Sequence, residues 1–144
     1  LGVLELDGDR LRRGLCEGLG FSADDRRENL RRAAETARLG LESGLCVVAS
    51  FITPLESHRQ LVRTIIGAER ISLIHLAAGL DTCARRDVKG LYADAKAGAV
   101  SRFTGVSDPF EAPLHVDFTI DTGEETPAVS ASRLAAFALG RFAT

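Results

Sequence analysis

Short apolar runs alternate with longer amphipathic segments along this chain, and no other feature restricts its fold as strongly. Such alternation is typical of strand–helix units around a parallel sheet, because each buried strand is followed by a helix that covers the sheet. We expect strands near residues 3–6, 45–50, 71–76 and 117–120. The predicted class is therefore α/β, with a mostly parallel sheet flanked by helices.

Three helices are predicted between and after these strands. Ser22 is a favourable N-cap for the first, whose apolar residues recur at three- and four-residue steps until Gly44 ends it. The residues expected on its inward face are Leu30, Ala33, Ala34, Ala37 and Leu41. A second helix should follow Pro54 and end before Gly67, and a third should span Pro127–Phe142.

Length and charge restrict the class of protein. The chain has 144 residues, 18 of them basic and 20 acidic, which gives a formal charge of −2. This length fits one domain, assigned to residues 1–144. The near balance of charge argues against nucleic acid or an anionic membrane as partner. The longest apolar run, residues 45–52, is too short to span a bilayer.

The cysteines show no metal or disulfide pattern. Cys16, Cys46 and Cys83 form neither a C-x-x-C pair nor a zinc-like spacing with histidine. Reduced thiols in a cytoplasmic protein are the simpler interpretation. The chain also contains no methionine, so we expect the natural translation product to extend beyond it.

Residues 88–113 are rich in glycine and proline and poor in apolar runs, which predicts a mobile loop or lid. Arg86 just before it and Lys89 within it supply positive charge, and Phe103 is one of its few aromatic residues. Such a lid can close over a nucleotide and neutralise its phosphates. Surface charge with an aromatic anchor to the core is the alternative, and composition alone does not choose between them.

Two carboxylates follow the first predicted strand, in the sequence L-E-L-D-G-D. Asp7 and Asp9 are therefore expected beyond the carboxyl end of a strand, where open α/β sheets bind their ligands. Gly8 allows the chain to turn sharply between them. Asp9 is equally well explained as the cap of a helix that begins near Arg10.

A concentration of arginines follows these acids. Arginine donates two parallel hydrogen bonds to phosphate or sulfate, so a small dianionic substrate is a natural partner. Arg26 and Asn29 are three residues apart, on one side of a helix near its N-terminus, where the helix dipole also favours an anion. An ordinary solvated helix face is the alternative. For the hydroxyls of Ser50 and Thr53, a bond to local backbone is the favoured interpretation over phosphate binding.

Taken together, these segments resemble the adenylyl-sulfate kinase family over nearly the whole chain. The motifs that carry the resemblance are L-D-G-D with Arg12 three residues on, G-F-S-x-x-D-R-x-x-N-x-R-R from Gly20, S-F-I-T-P from Ser50, R-D-V-K-G-L-Y from Arg86, F-T-G from Phe103 and E-A-P from Glu111. The resemblance implies a three-layer P-loop kinase-like fold. It also implies ATP-dependent phosphorylation of the ribose 3′-hydroxyl of adenylyl sulfate, a step of sulfate assimilation.

The resemblance also implies roles for individual residues. Asp9 would orient the ribose hydroxyl or accept its proton, and Asp7 would help to place the Mg²⁺ that accompanies ATP. The residues that would hold the substrate are Arg12, Phe21, Arg26, Asn29, Ile52, Thr53, Lys89 and Phe103. Within that set the two arginines, Asn29 and Lys89 would bind the phosphosulfate, and the two phenylalanines would enclose the adenine. Cys83 and Arg86 would contact the nucleotide.

Residues 1–144 depart from the family pattern in one major respect, because they contain no G-x-x-x-x-G-K-[ST] loop. We expect the segment with that loop to precede Leu1, and the chain alone not to be an efficient kinase. Arg10, Ala77 and Ala78 also replace residues usual in the family. A second hypothesis is therefore a non-catalytic domain that binds adenylyl sulfate or a nucleotide, fused to an ATP sulfurylase. The resemblance further implies a homodimer.

Overall fold

The computed structural model describes residues 2–87, 89–99 and 102–142. Helices and strands alternate along the chain, and the four strands form two parallel pairs, which confirms the predicted α/β class. The elements are β1 (Val3–Asp7), α1 (Gly8–Leu11), α2 (Ala23–Glu42), β2 (Cys46–Ser50), α3 (Glu56–Ile66), a 3₁₀ turn (Ala68–Arg70), β3 (Ile74–Ala77), α4 (Leu80–Arg86), α5 (Leu91–Lys96), β4 (Phe118–Asp121) and α6 (Pro127–Phe142).

The chain divides into two compact units. The first comprises Leu1–Ile71 with Pro109–Ala112, and the second comprises Ser72–Asp108 with Pro113–Thr144. In the described part of the chain, no helix is both long and apolar enough to cross a bilayer.

In the first unit, β1 pairs in parallel with β2, in a register that runs from Val3 opposite Cys46 to Asp7 opposite Ser50. Helices α2 and α3 pack beside this pair. The buried core consists of Leu6, Ala34, Ala37 and Ile66, and the partly buried side chains around it are Leu4, Leu11, Leu41, Val47, Phe51, Val62, Ile65 and Ile71. The predicted inward face of α2 is confirmed, because its alanines and Leu30 are buried and Leu41 packs on the core.

The ends of α2 also follow the sequence prediction. Ser22 is the N-cap, and its hydroxyl accepts a hydrogen bond from the backbone N–H of Asp25 at 3.1 Å. Glu28 then accepts hydrogen bonds from Arg31 and Arg32 on the solvent side of the helix. Gly44 follows the helix with φ of +78°, a conformation that glycine adopts without a steric penalty.

In the second unit, β3 pairs in parallel with β4, from Ile74 opposite Phe118 to Ala77 opposite Asp121. The ring of Phe118 stacks on Phe137 of α6, with centroids 4.7 Å apart. The predicted start of β3 at residue 71 is wrong, because the strand begins at Ile74. Ile71 instead packs against the core of the first unit.

The predicted lid contains a helix that the sequence pattern did not indicate. Residues 91–96 form α5, and its first amides are satisfied by Asp87, whose carboxylate accepts from Tyr92 N at 3.0 Å and Ala93 N at 3.1 Å. An aspartate before the helix therefore supplies the partners that free N–H groups need. The predicted loop also includes residues 88, 100 and 101, which lie outside the described residues.

Candidate substrate pocket

A pocket of about 100 Å³ lies in the first unit, beyond the carboxyl ends of β1 and β2. Its lining residues are Asp9, Arg12, Phe21, Arg26, Asn29, Leu30, Phe51, Ile52, Thr53 and Pro54. Seven of the ten were predicted as site residues from the sequence, and they come from three separate segments. The fold therefore brings the residues of three motifs to one cavity, although their individual roles stay predictions.

The two aspartates after β1 have different positions. Asp7 is the N-cap of α1, and its Oδ1 accepts a hydrogen bond from Arg10 N at 2.9 Å. The capping role that the sequence offered as an alternative for Asp9 thus belongs to Asp7. Asp9 lies in the first turn of α1, is exposed, and lines the pocket. A Cβ on Gly8 would lie 3.3 Å from Cδ1 of the Phe51 ring, so a larger residue between the two aspartates would require that ring to shift.

Arg12 and Arg26 both contact Phe21. Arg12 Nη1 donates to the carbonyls of Leu19 at 3.0 Å and Gly20 at 2.9 Å, and its Cζ lies 4.3 Å from the centroid of the Phe21 ring. Arg26 Nε donates to the Phe21 carbonyl at 3.1 Å, with its Cζ 5.5 Å from the same ring. Each guanidinium is thereby fixed by backbone and ring together, which presents two oriented positive charges at the pocket.

Asn29 supplies an unsatisfied acceptor. Its side chain is 5% exposed, and within the described part of the chain its Oδ1 has no hydrogen-bond partner. A buried polar atom without a partner costs about 1–3 kcal/mol, so such atoms are uncommon in native structures. Asn29 also lines the pocket, so this unsatisfied oxygen belongs to a residue of the candidate site.

The opposite wall of the pocket has a strained backbone. It comprises Ile52, Thr53 and Pro54, which follow β2, and Thr53 has φ of +39°. A β-branched residue with positive φ is a genuine outlier and carries a cost of about 1–3 kcal/mol unless its surroundings impose it. Such strain occurs often at binding sites.

Burial and neighbouring charges shift the pKa values of several groups in this unit. Burial raises the pKa of the Cys16 thiol, which keeps it protonated. Hydrogen bonds from Arg31 and then Arg32 lower the pKa of Glu28 to about 2. Burial, followed by the charges of Arg26 and Arg27, lowers the pKa of His58.

Four predicted site residues, Cys83, Arg86, Lys89 and Phe103, belong to the second unit. Arg86 Nη2 donates to the carbonyl of Thr122 at 2.6 Å. The ring of Phe103 meets Tyr92 edge to face, with centroids 4.8 Å apart. Burial and then Cys83 raise the pKa of Tyr92. Asp7, the predicted metal ligand, is in the first unit but outside the pocket lining.

Sequence reasoning missed three lining residues. Leu30 was assigned only to the helix core, and Phe51 and Pro54 were given no binding role. The positions of Phe51 and Pro54 in the sequence could have indicated a binding role, because these two residues flank the predicted pair Ile52 and Thr53 at the end of a strand.

Comparison with known proteins identifies the family of this chain. The profile of the family described as Adenylylsulphate kinase matches residues 1–121. The adenylyl-sulfate kinase of Shewanella amazonensis is 49% identical over 119 residues, which cover 83% of this chain and 60% of that protein. That of Prochlorococcus marinus is 47% identical over 123 residues, covering 85% of this chain and 61% of that protein. The chain thus spans about 60% of the length of these relatives.

A solved structure shares the fold. The Mycobacterium tuberculosis APS kinase CysC, in complex with AMPPNP and APS, superposes with a TM-score of 0.85 at 36% sequence identity. The match covers 94% of this chain and 79% of that one. The family profile, the curated relatives and this fold agree, and the chain belongs to the adenylylsulphate kinase family.

Proposed function

We propose that the protein transfers the γ-phosphoryl group of ATP to the ribose 3′-hydroxyl of adenylyl sulfate, giving 3′-phosphoadenylyl sulfate for sulfate assimilation. The observation that carries the proposal is the pocket of the first unit, where a carboxylate, two oriented guanidinium groups and an unsatisfied amide oxygen meet. Because the chain spans about 60% of its curated relatives, the activity is assigned to the full-length gene product.

The arginines fit the charged part of the substrate. A phosphosulfate carries two negative charges, and Arg12 and Arg26 present two cations held by the backbone around Phe21. Guanidinium groups bind such oxyanions through paired, charge-assisted hydrogen bonds. Phe21 offers its ring to the adenine, whereas the roles of Lys89 and Phe103 rest on the family resemblance alone.

Asp9 is assigned to the reacting hydroxyl. It is exposed at the pocket, in the first turn of α1, a helix that Asp7 caps two residues earlier. A carboxylate there can accept a hydrogen bond from the hydroxyl, align its oxygen with the phosphorus and accept its proton as the new bond forms. Phosphoryl transfer depends chiefly on such alignment and on charge neutralisation.

The acids after β1 are compatible with Mg²⁺. Carboxylate oxygens are the ligands that Mg²⁺ prefers, and it commonly uses one or two of them together with water and substrate phosphates. In this proposal Asp7 is the carboxylate ligand that the chain supplies, and ATP phosphates and water complete the coordination. Bound Mg²⁺ would neutralise charge on the phosphates.

Further parts of the proposal rest on the family resemblance alone. Cys83 and Arg86 are assigned to the ATP nucleotide. The protein is proposed to act in the cytoplasm as a homodimer, free or joined to an ATP sulfurylase.

The decisive experiment is a kinase assay on the full-length gene product, with ATP, Mg²⁺ and adenylyl sulfate. Asp9→Ala should lower kcat by about 10²–10⁴-fold, because it removes the group that orients and deprotonates the hydroxyl. The KM for adenylyl sulfate should change little. Asp24→Ala, which removes an exposed aspartate from the start of α2 in the same unit, is the matched control and should retain wild-type turnover.

Two results would contradict the proposal. Unchanged turnover in Asp9→Ala would remove the role assigned to that carboxylate. Tight binding of adenylyl sulfate by calorimetry, with no phosphorylation by the wild-type protein, would instead support the second hypothesis of a non-catalytic binding domain.

A further inference from the structure

Arg59 of α3 is a buried cation that lies outside the pocket lining. Its side chain is 3% exposed, and its Nη1 contacts Glu56 Oε2 at 2.8 Å. Its Nη2 donates to the carbonyls of Pro54, at 3.4 Å, and Glu111. A buried charge is costly unless it is paired and its N–H groups are satisfied. This guanidinium meets that condition only through contacts with three separate parts of the chain.

The same contacts fix the segment Pro109–Ala112. Glu111 N donates to the Pro54 carbonyl at 2.8 Å, and Glu56 N donates to Glu111 Oε2 at 2.5 Å. Arg59 Cζ also lies 5.6 Å from the centroid of the Phe110 ring. The segment therefore belongs to the first unit although the residues on both sides of it belong to the second. Glu111 takes part in both of these hydrogen bonds, and Arg59 joins them by donating to the carbonyls of Glu111 and Pro54.

Pro54 connects this cluster to the pocket. It is buried, lines the cavity, and directly follows Thr53, whose φ of +39° is unfavourable for a β-branched side chain. A strained residue keeps its conformation only where several surrounding contacts hold it in place. The surroundings here are the two hydrogen bonds to the Pro54 carbonyl, one from Arg59 and one from Glu111 N.

We infer that Arg59 is a positioning residue, which holds the strained Thr53–Pro54 wall in the shape that receives the substrate by bridging it to Glu111. It acts through that wall and makes no contact with ligand. The identity of the ligand rests on the proposed function. The existence of the bridge does not depend on the proposed function, because its hydrogen bonds lie within the first unit.

Arg59→Lys is the sharpest test. Lysine keeps the charge and can pair with Glu56, but its single ammonium cannot reproduce the planar fork that reaches two carbonyls. In the full-length gene product, KM for adenylyl sulfate should rise about tenfold, since one hydrogen bond to a charged group is worth roughly that factor. The KM for ATP should stay within about twofold. Arg63→Lys, one turn further along α3, is the matched control and should leave both values unchanged.

Hydrogen exchange tests the bridge without any ligand. Arg59→Lys should accelerate exchange at the amides of Glu56 and Glu111, whose hydrogen bonds depend on the bridge, while amides of β1 and β2 keep their wild-type rates. Glu111→Ala, at an exposed position, is a second variant that removes the acceptor for Glu56 N and should give the same KM pattern.

The outcomes are separable. Wild-type KM for adenylyl sulfate and wild-type exchange in Arg59→Lys would overturn the inference. An equal rise in both KM values with faster exchange throughout the unit would reduce Arg59 to a purely structural role and also overturn it. If the wild-type protein neither binds nor phosphorylates adenylyl sulfate, the proposed function fails, while the exchange of Glu56 and Glu111 still decides whether the bridge exists.

Discussion

His58 is a histidine buried in α3 among positive charges. Its side chain is 3% exposed, and within the described chain its Nδ1 has no hydrogen-bond partner. Burial lowers its pKa, the charges of Arg26, Arg27 and Arg59 lower it further, and Glu111 raises it. The folded state therefore holds this imidazole neutral at pH values where the unfolded chain protonates it.

The sign of the effect on stability follows directly. Above a pH of about 6.5 both states are neutral and His58 contributes no pH dependence. Below that value the unfolded state binds one more proton, so the free energy of unfolding should fall as the pH falls, by at most about 1.4 kcal/mol per pH unit for this group. His58→Gln should flatten the fall between pH 7 and pH 5, measured by urea unfolding. His115→Gln, at an exposed site, should keep the wild-type pH dependence, and a parallel decline in all three proteins would contradict the assignment.

Individual site residues were predictable only where a motif placed them. The sequence identified Arg12, Arg26 and Asn29 because their spacing in G-F-S-x-x-D-R-x-x-N and L-D-G-D carried a family resemblance. Arg59 had no such signal, since an arginine on an amphipathic helix is normally exposed. Its burial depends on Glu111, 52 positions later in the chain, and that contact follows from tertiary structure rather than from local pattern.

Helix α2 approaches the β1–β2 pair most closely at Gly40. A Cβ at this position would lie 2.9 Å from Leu4 Cδ2 and 3.1 Å from Val47 Cγ2, both closer than ordinary contact. The absence of a side chain thus lets the helix backbone lie near the sheet, and the alanines Ala33 and Ala37 on the same face are small for the same reason.

Gly40→Ala should lower the free energy of unfolding by roughly 1 kcal/mol. Alanine gains about 1 kcal/mol of helix propensity over glycine, but overpacking a close contact costs about 1–3 kcal/mol, so the steric cost wins. Urea denaturation would measure the difference. Gly14→Ala, where no atom lies within 4 Å of the added Cβ, should be close to neutral. A more stable Gly40→Ala would mean that Leu4 and Val47 move aside without cost.

Among the helices and strands, the sequence predicted those whose apolar residues repeat at a clear helical or strand spacing. The cap at Ser22 and the stop at Gly44 bounded α2 closely because each is a backbone requirement readable in the residue type. Helix α5 was missed because residues 91–96 are too few for a helical period to appear, and its N–H groups depend on the Asp87 side chain. The start of β3 was predicted too early because Ile71 is apolar. Its apolar side chain packs against the core of the first unit and is not part of the strand.

Each of the two compact units has buried apolar residues of its own among the residues that the structure describes. In the first unit they include Leu6, Ala34, Ala37 and Ile66. In the second unit Ile120 of β4 is 1% exposed, and the Phe118–Phe137 stack lies on the same strand and α6. From the sequence we assigned residues 1–144 to one domain, which stays a prediction. Nothing in the order of strands reveals such a division, because every strand is followed by a helix in both halves.

The division into two compact units predicts two separable responses to mutation. Ile120→Ala should destabilise the second unit by about 2–5 kcal/mol, the usual cost of such a cavity, and so accelerate amide exchange in β3 and β4 by roughly 30-fold or more. Amides of β1 and β2 should exchange at rates near wild type, because local opening of one unit leaves the bonds of the other intact. Leu6→Ala is the reciprocal variant and should reverse the pattern. Equal acceleration in both strand pairs would show that the chain unfolds as one cooperative unit, and hydrogen exchange resolved by residue would distinguish the two results.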